Sequence, residues 1–228
     1  MSVAPTTPPP SPWESVAGDL LDGLHPRLRP YFAAIPAGSV GVGHGVFDRV
    51  GTPRRWLWPV LAVLGRQGVL FPVWQHDVPF GVVNTPGVDP AGDVVVGAVR
   101  TFAFSDDPDS HRSMVDAITA GPGGLVDHLG TRRRGSADLA VAVVDGGLVL
   151  TSGALALRVG RRHLPLPRAV SPRVTLHEAF DPAAGRQRVS LTLDAPVVGR
   201  IYEYSGHFDY RIEPRAAAAD RHPGGTTP

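Results

Sequence analysis

Four tight-turn signals cut the chain after Phe71 into short segments in which apolar residues alternate with polar ones. Asp89-Pro90-Ala91-Gly92 separates PFGVVNT (79–85) from VVVGAVRTFAF (94–104). Gly121-Pro122-Gly123-Gly124 separates HRSMVDAIT (111–119) from LVDHLGT (125–131), and Asp145-Gly146-Gly147 separates DLAVAVV (138–144) from LVLTSGALALRV (148–159). Asp181-Pro182-Ala183-Ala184-Gly185 separates VTLHEAF (174–180) from RVSLTLD (188–194), and RIYEYSGHFDYRIE (200–213) follows as a last strand. Pro presets the φ of a turn, Gly accepts positive φ, and Asp-Gly is a strong hairpin signal. Connections this short join antiparallel neighbours. No strand–helix–strand rhythm is present, so a parallel nucleotide-binding sheet is not expected. The pattern predicts an α+β, mainly antiparallel β fold: a curved sheet or barrel of about eight to ten strands with N-terminal helices that plug an end or pack on one face.

The front of the chain reads differently. Ser11-Pro12-Trp13-Glu14 is a helix start, with Ser11 as cap, Pro12 in the first turn and Glu14 closing a capping box. Val16, Leu20, Leu21 and Leu24 form its predicted apolar stripe, ended by Gly23 and Pro26, and HPRLRPYF (25–32) has room for one more short turn. SVGVGHGVFDRVG (39–51) reads as a strand whose Gly41, Gly43 and Gly45 share one face, leaving room for something bulky to approach the backbone. A second helix is expected from Thr52-Pro53, with Trp56, Leu57, Val60, Leu61 and Leu64 at helical spacing, a kink or restart at Pro59, and Gly65 and Gly68 as its end. Trp56 and Trp58 beside Arg54 and Arg55 fit either a helix packed on the sheet or a membrane-surface segment. Residues 1–10 read as an extended Pro/Thr tail, 11–214 as a single domain and 215–228 as a second tail.

Composition removes several chemistries. The 228 residues are 43% hydrophobic, enough for a real core. The chain has no Cys, and all 22 basic residues are Arg. Thiolate catalysis, disulfides, Cys-ligated zinc, Lys Schiff bases and a P-loop lysine are thereby excluded. The net charge of +1 is spread out, and its densest run, Arg132-Arg133-Arg134, reads as a solvated turn, so no nucleic-acid partner is expected. The nine His residues lack metal-ligand spacing, and neither a metal nor another cofactor is expected. The N-terminus has no signal-peptide pattern, and WLWPVLAVL (56–64) is too short for a membrane span. A cytoplasmic protein from a GC-rich bacterial genome is the expectation.

Against these exclusions stand three charges on apolar strand faces. Side chains alternate along a strand. Arg100 therefore shares a face with Phe102 and Phe104, Asp127 with Leu125 and Leu129, and Glu178 with Val174, Leu176 and Phe180. A buried charge is costly unless paired or functional. Two readings compete: an Arg–carboxylate cluster that fixes strand register, and a polar anchor within an apolar ligand pocket. Tyr202, Tyr204, Phe208 and Tyr210 fall on one face of the last strand with Gly206, as core or as an aromatic lining in which Tyr204 meets a ligand. Asn84, before the Asp89 turn, is either a further ligand contact or a turn cap. The candidate ligand-binding residues are thus Arg100, Asp127, Glu178, Tyr204 and Asn84, and no catalytic residue is assigned.

An ordered set of stretches carries a family likeness: LHPRLRPYF (24–32), GHGVF (43–47), FPVWQHDVPFGVVN (71–84), VRTFAF (99–104), LVDHLG (125–130), LTSGALAL (150–157), LPLPRAVSP (164–172), HEAFD (177–181) and APVVGRIYEYSGHF (195–208). The chain resembles the bacterial domain of unknown function 4166. That resemblance attaches no reaction and no catalytic residues. It implies an NAD(P)-dependent oxidoreductase of the saccharopine-dehydrogenase-like type as a possible partner, because such domains occur alone or after one. Three functions stay open: a binding or accessory module for a hydrophobic or amphipathic small molecule, an enzyme with Asp127 or Glu178 as general base and Arg100 stabilising an anion, and an interaction partner of an oxidoreductase.

Overall fold

The computed structural model describes residues 8–159, 162–167 and 171–215. Most of the expected N-terminal tail, residues 1–7, lies outside the described residues, as do residues 216–228. The described residues form eleven strands: β1 Ser39–Gly51, β2 Trp74–Val88, β3 Val94–Phe102, β4 Arg112–Gly121, β5 Gly124–Leu129, β6 Gly135–Val144, β7 Gly147–Val159, β8 Arg162–Pro165, β9 Arg173–Asp181, β10 Arg186–Ala195 and β11 Gly199–Pro214. Each pairs antiparallel with its neighbours.

The sheet runs β1 to β7, then β9, β10 and β11, and β11 returns to β1, which closes a ten-stranded barrel. β8 is the exception. It pairs with the outer half of β7, Ala156 to Val159, while β9 takes the inner half from Leu148 to Thr151. Closure removes the exposed edges that an open sheet of this size would carry. The β6–β7 turn places both Asp145 and Gly146 at positive φ, 49° and 76°, the mirror-image turn that Asp-Gly favours.

The glycine face of β1 does receive something bulky. A Cβ at Gly41 would overlap the Tyr210 hydroxyl, and one at Gly45 would overlap the His207 carbonyl, so β11 aromatics lie directly on the β1 backbone. Phe47, Phe80, Phe102 and Tyr204 complete this half of the interior, with Phe47 and Phe80 stacked at 3.8 Å between centroids. The opposite wall carries shorter side chains such as Ala98, Ile118, Ala137, Leu139 and Leu150. They do not span the bore, and a barrel of ten strands is wider than the eight that side chains just fill. The interior is therefore solid on the aromatic side and hollow on the aliphatic one.

Helices close both ends. At one end α1 (Pro12–Ala17) starts with the expected reciprocal cap: Glu14 N–H donates to Ser11 Oγ at 3.1 Å and Ser11 N–H donates to Glu14 Oε2 at 2.7 Å. Gly18, at φ 48°, breaks the helix, and the chain continues as a 3-10 turn over Gly18–Gly23. That break rotates Leu20 out to solvent, contrary to the single stripe expected through Val16, Leu20, Leu21 and Leu24. The short α2 (Arg29–Phe32) follows, and Trp13, Leu28, Tyr31 and Phe32 are buried beneath this cap.

At the other end the β1–β2 connection forms a 3-10 turn, Arg55–Leu57, and then α3 (Trp58–Gly65). The helix begins at Trp58 rather than at Thr52. Pro59 lacks an N–H and fits only the first turn, where none is needed, and Thr52 instead accepts from Arg54 N–H at 3.2 Å. Leu61 is the buried residue of α3, Trp58 is half-buried, and Trp56 and Val60 face outward. Among the described residues no helix is long and apolar enough to cross a membrane.

Candidate ligand site

A cavity of about 280 Å³ runs along the aliphatic wall between the two caps. Trp13, Tyr31 and Phe32 bound it at the α1 end, and Leu64, Val69 and Leu70 bound it beneath α3. Its size falls just below the ~300–1,000 Å³ typical of small-molecule sites. Leucine, valine, isoleucine and alanine dominate the lining, and a few ionisable side chains interrupt it.

Arg100, Asp127, Glu178, Tyr204 and Asn84 all line this one cavity. The strands explain why. β3 turns Arg100 inward beside Phe102, β5 turns Asp127 inward beside Leu125, and β9 turns Glu178 inward along the same face as Leu176 and Val174. Asn84 is buried in mid-strand and donates through Nδ2 to the Tyr210 hydroxyl at 3.4 Å, so it is no turn cap. The capping side chain of that turn is Asp89, whose Oδ1 accepts from Ala91 and Asp93 N–H groups at 2.8 and 3.0 Å.

The direct partner of Arg100 is Asp116 on β4, a residue the sequence reading passed over. Its signal was there: Met114, Asp116 and Ile118 alternate inward in the same manner as the flagged strands. Tyr31, carried in from α2, was also missed, since no strand pattern reports a helix residue that dips into a barrel. The buried Arg–carboxylate pair therefore exists, but Asp127 and Glu178 are left outside it. Asp127 Oδ1, Glu178 Oε2 and Asn84 Oδ1 are buried without a hydrogen-bond partner among the described residues.

This arrangement divides the acids into two kinds. Burial raises the Asp116 pKa, and the contacting guanidinium draws it back. Arg100 does not deprotonate, and Asp116 is the charge that most strongly offsets the burial of its guanidinium. Burial pushes Asp127 well above the usual carboxylate range, the Asp116 charge adds to that, and Arg100 opposes it. Burial likewise raises Glu178 to about 8, against a smaller lowering by Arg100. At neutral pH the cavity wall thus presents the contacting Arg100–Asp116 pair and a Glu178 carboxyl that is largely protonated, with Asp127 pushed in the same direction as Glu178. A neutral carboxyl is a hydrogen-bond donor in an otherwise greasy wall. Burial also raises the Tyr31 and Tyr204 phenols, which remain neutral donors.

Fold and site together define a closed antiparallel barrel with an apolar interior cavity into which a few polar groups project. The model of the family described as Domain of unknown function (DUF4166) matches residues 24–208, and the chain belongs to that family. The matched span holds every candidate site residue and begins after α1, so Trp13 lies outside it. No curated protein and no solved structure matches the chain.

Proposed function

We propose that the barrel is a binding module for a hydrophobic or amphipathic small molecule. The carrying observation is the juxtaposition, on one apolar cavity, of buried polar atoms that lack partners: Asp127 Oδ1, Glu178 Oε2 and Asn84 Oδ1. Unsatisfied buried polar atoms destabilise a fold by roughly 1–3 kcal/mol each, and a ligand's polar end relieves that penalty while its apolar body fills the cavity. The chemistry favours an uncharged head group such as a carbonyl or hydroxyl. The one cation among the described cavity residues, Arg100, already contacts Asp116, and the largely protonated Glu178 carboxyl donates rather than repels. Native mass spectrometry of the purified chain tests this reading. It predicts a bound apolar species that Ala98→Phe, which fills the cavity, excludes. A mass equal to that of the bare chain, together with no uptake of added uncharged amphipaths, would count against it.

A second reading has a specific observation in its favour. Glu178 is unclamped, lines the cavity, and has a pKa near operating pH, the condition for a proton-transfer group. In that reading Glu178 moves a proton on the bound molecule and Arg100 stabilises the anion that forms. The recovered ligand, incubated in D2O, then acquires deuterium with the native chain and not with Glu178→Gln. Equal incorporation in both samples removes the enzymatic reading and leaves the binding one.

A further inference from the structure

The two ends of the barrel differ in a way that the cavity does not require. The α3 end exposes an apolar stripe: Trp56, Val60 and Val63 are 61%, 59% and 58% exposed, and their spacing puts them on one side of the helical cap. Val197 is fully exposed on the β10–β11 turn at the same end, held at φ 68°. A β-branched residue is an outlier there.

The charge around this stripe is one-sided. The β1–β2 connection carries Arg54, Arg55 and Arg66 and no acidic residue. The adjacent β5–β6 loop carries exposed Arg132, Arg133 and Arg134, and Thr131 N–H donates to the Gln67 carbonyl at 2.9 Å, which ties that loop to the end of α3. Arg54 Nε donates to the Arg200 carbonyl at 3.0 Å, which ties the connection to β11. The acidic residues at this end are Asp106, Asp107 and Asp109 in the β3–β4 connection, Asp48 and Asp77 where β1 ends and β2 begins, and Asp194 and Glu203, which pair with Arg200 beside the β10–β11 turn. The opposite end has an acidic excess, with Glu14, Asp19, Asp22, Asp89, Asp93, Asp145 and Asp181 against Arg27, Arg29, Arg186 and Arg215. A chain of net charge +1 is thus polarised along the barrel axis, with its exposed tryptophan at the basic pole.

We infer that the α3 end docks on the surface of an anionic lipid bilayer. Exposed tryptophan and valine suit the depth just beneath lipid headgroups, and guanidinium groups beside them suit lipid phosphates. Leu64, Val69 and Leu70 form the cavity wall immediately beneath this face, so docking would put the ligand cavity one helix away from the acyl layer. That consequence rests on the small-molecule reading above; the docking itself does not.

The test is flotation of the full chain with vesicles of phosphatidylcholine alone and of phosphatidylcholine mixed with phosphatidylglycerol. The native chain floats with the mixed vesicles, stays behind with neutral ones, and is released by high salt. Trp56→Ser combined with Val60→Ser abolishes flotation. Replacing Arg132, Arg133 and Arg134 by Ser weakens partitioning by roughly fivefold per charge. Flotation that ignores lipid charge, or that survives both sets of substitutions, overturns the inference. So does a dimer in analytical ultracentrifugation that Trp56→Ser dissociates, which would assign the stripe to a second copy. Uptake of detergent-dispersed amphipath, measured on the same variants, separates the two ideas. Vesicle docking without uptake leaves the membrane face standing and removes the binding module, and uptake without docking does the reverse.

Discussion

Replacing Glu178 by Gln keeps the shape of the side chain and removes its ability to ionise. Glu178 is 4% exposed, and its pKa rises from 4.5 in an unfolded chain to about 8 in the barrel. For an acid with a raised folded-state pKa, the stabilising contribution is fully present below 4.5 and is lost as pH rises through about 8. Between those values the unfolded chain releases a proton that the folded chain retains, so stability falls by about 1.4 kcal/mol per pH unit from this group alone. Relative to Gln, the native side chain is then less favourable by roughly 1 kcal/mol at pH 5 and roughly 3 kcal/mol at pH 7. Any fixed difference in packing between the two side chains shifts both figures equally. The robust quantity is their difference, about 2 to 2.5 kcal/mol. Urea unfolding of both proteins at pH 5, 6, 7 and 8 measures it, provided the m-values agree. The stability gap should widen steadily in favour of Gln as pH rises. A gap that stays constant, or that narrows, would mean that Glu178 is ionised in the folded barrel, and the account of a neutral donor wall would fail.

Other substitutions probe the remaining parts of the account. Arg100→Met leaves Asp116 buried without its counter-charge and should destabilise by about 3–5 kcal/mol in chemical denaturation, and replacing both residues by apolar ones of similar volume should recover most of that loss. Gly206→Ala places a methyl against the Val46 carbonyl and the Phe47 backbone, so a loss of more than about 2 kcal/mol in melting experiments is expected, larger than for Gly97→Ala, where the nearest contact is an ordinary 3.9 Å. Ser11→Ala removes both the α1 cap and the bond from Ser11 Oγ to the Phe32 carbonyl, with an expected loss of about 1–2 kcal/mol and faster amide exchange confined to the first cap.

Much of the barrel was legible because antiparallel strands leave two independent marks, alternation and turn chemistry, and both agreed in β3 to β7 and β9 to β11. β8 was not read, since four residues are too few for a period. The front of β2 was obscured because a bulge where Asp48 is skipped in the β1 pairing and positive φ at Asp77 disturb the alternation that begins cleanly at Val78. Local signals placed the start of α1 well. They misplaced the start of α3 at Thr52-Pro53, while the restart they allowed at Pro59 is where the helix begins. The site was half legible. Inward charges on Arg100, Asp127 and Glu178 followed from period-two faces, but which acid meets Arg100 depends on the stagger between β3 and β4, where Arg100 pairs across from Met114. Asp116 sits diagonally from it, and no single-strand pattern states that neighbour. The hollow on the aliphatic wall was also invisible, because cavity volume depends on how far opposite side chains reach across a closed bore.

The most direct test of the central claim is a crystal structure of the chain as purified. The account predicts density for a non-protein molecule between Trp13 and Phe32 at one end and Leu64 and Leu70 at the other, with its polar end within hydrogen-bonding distance of Asp127 or Glu178. Side chains collapsed into that space, or a ligand held only on the outer surface of the barrel, would contradict it.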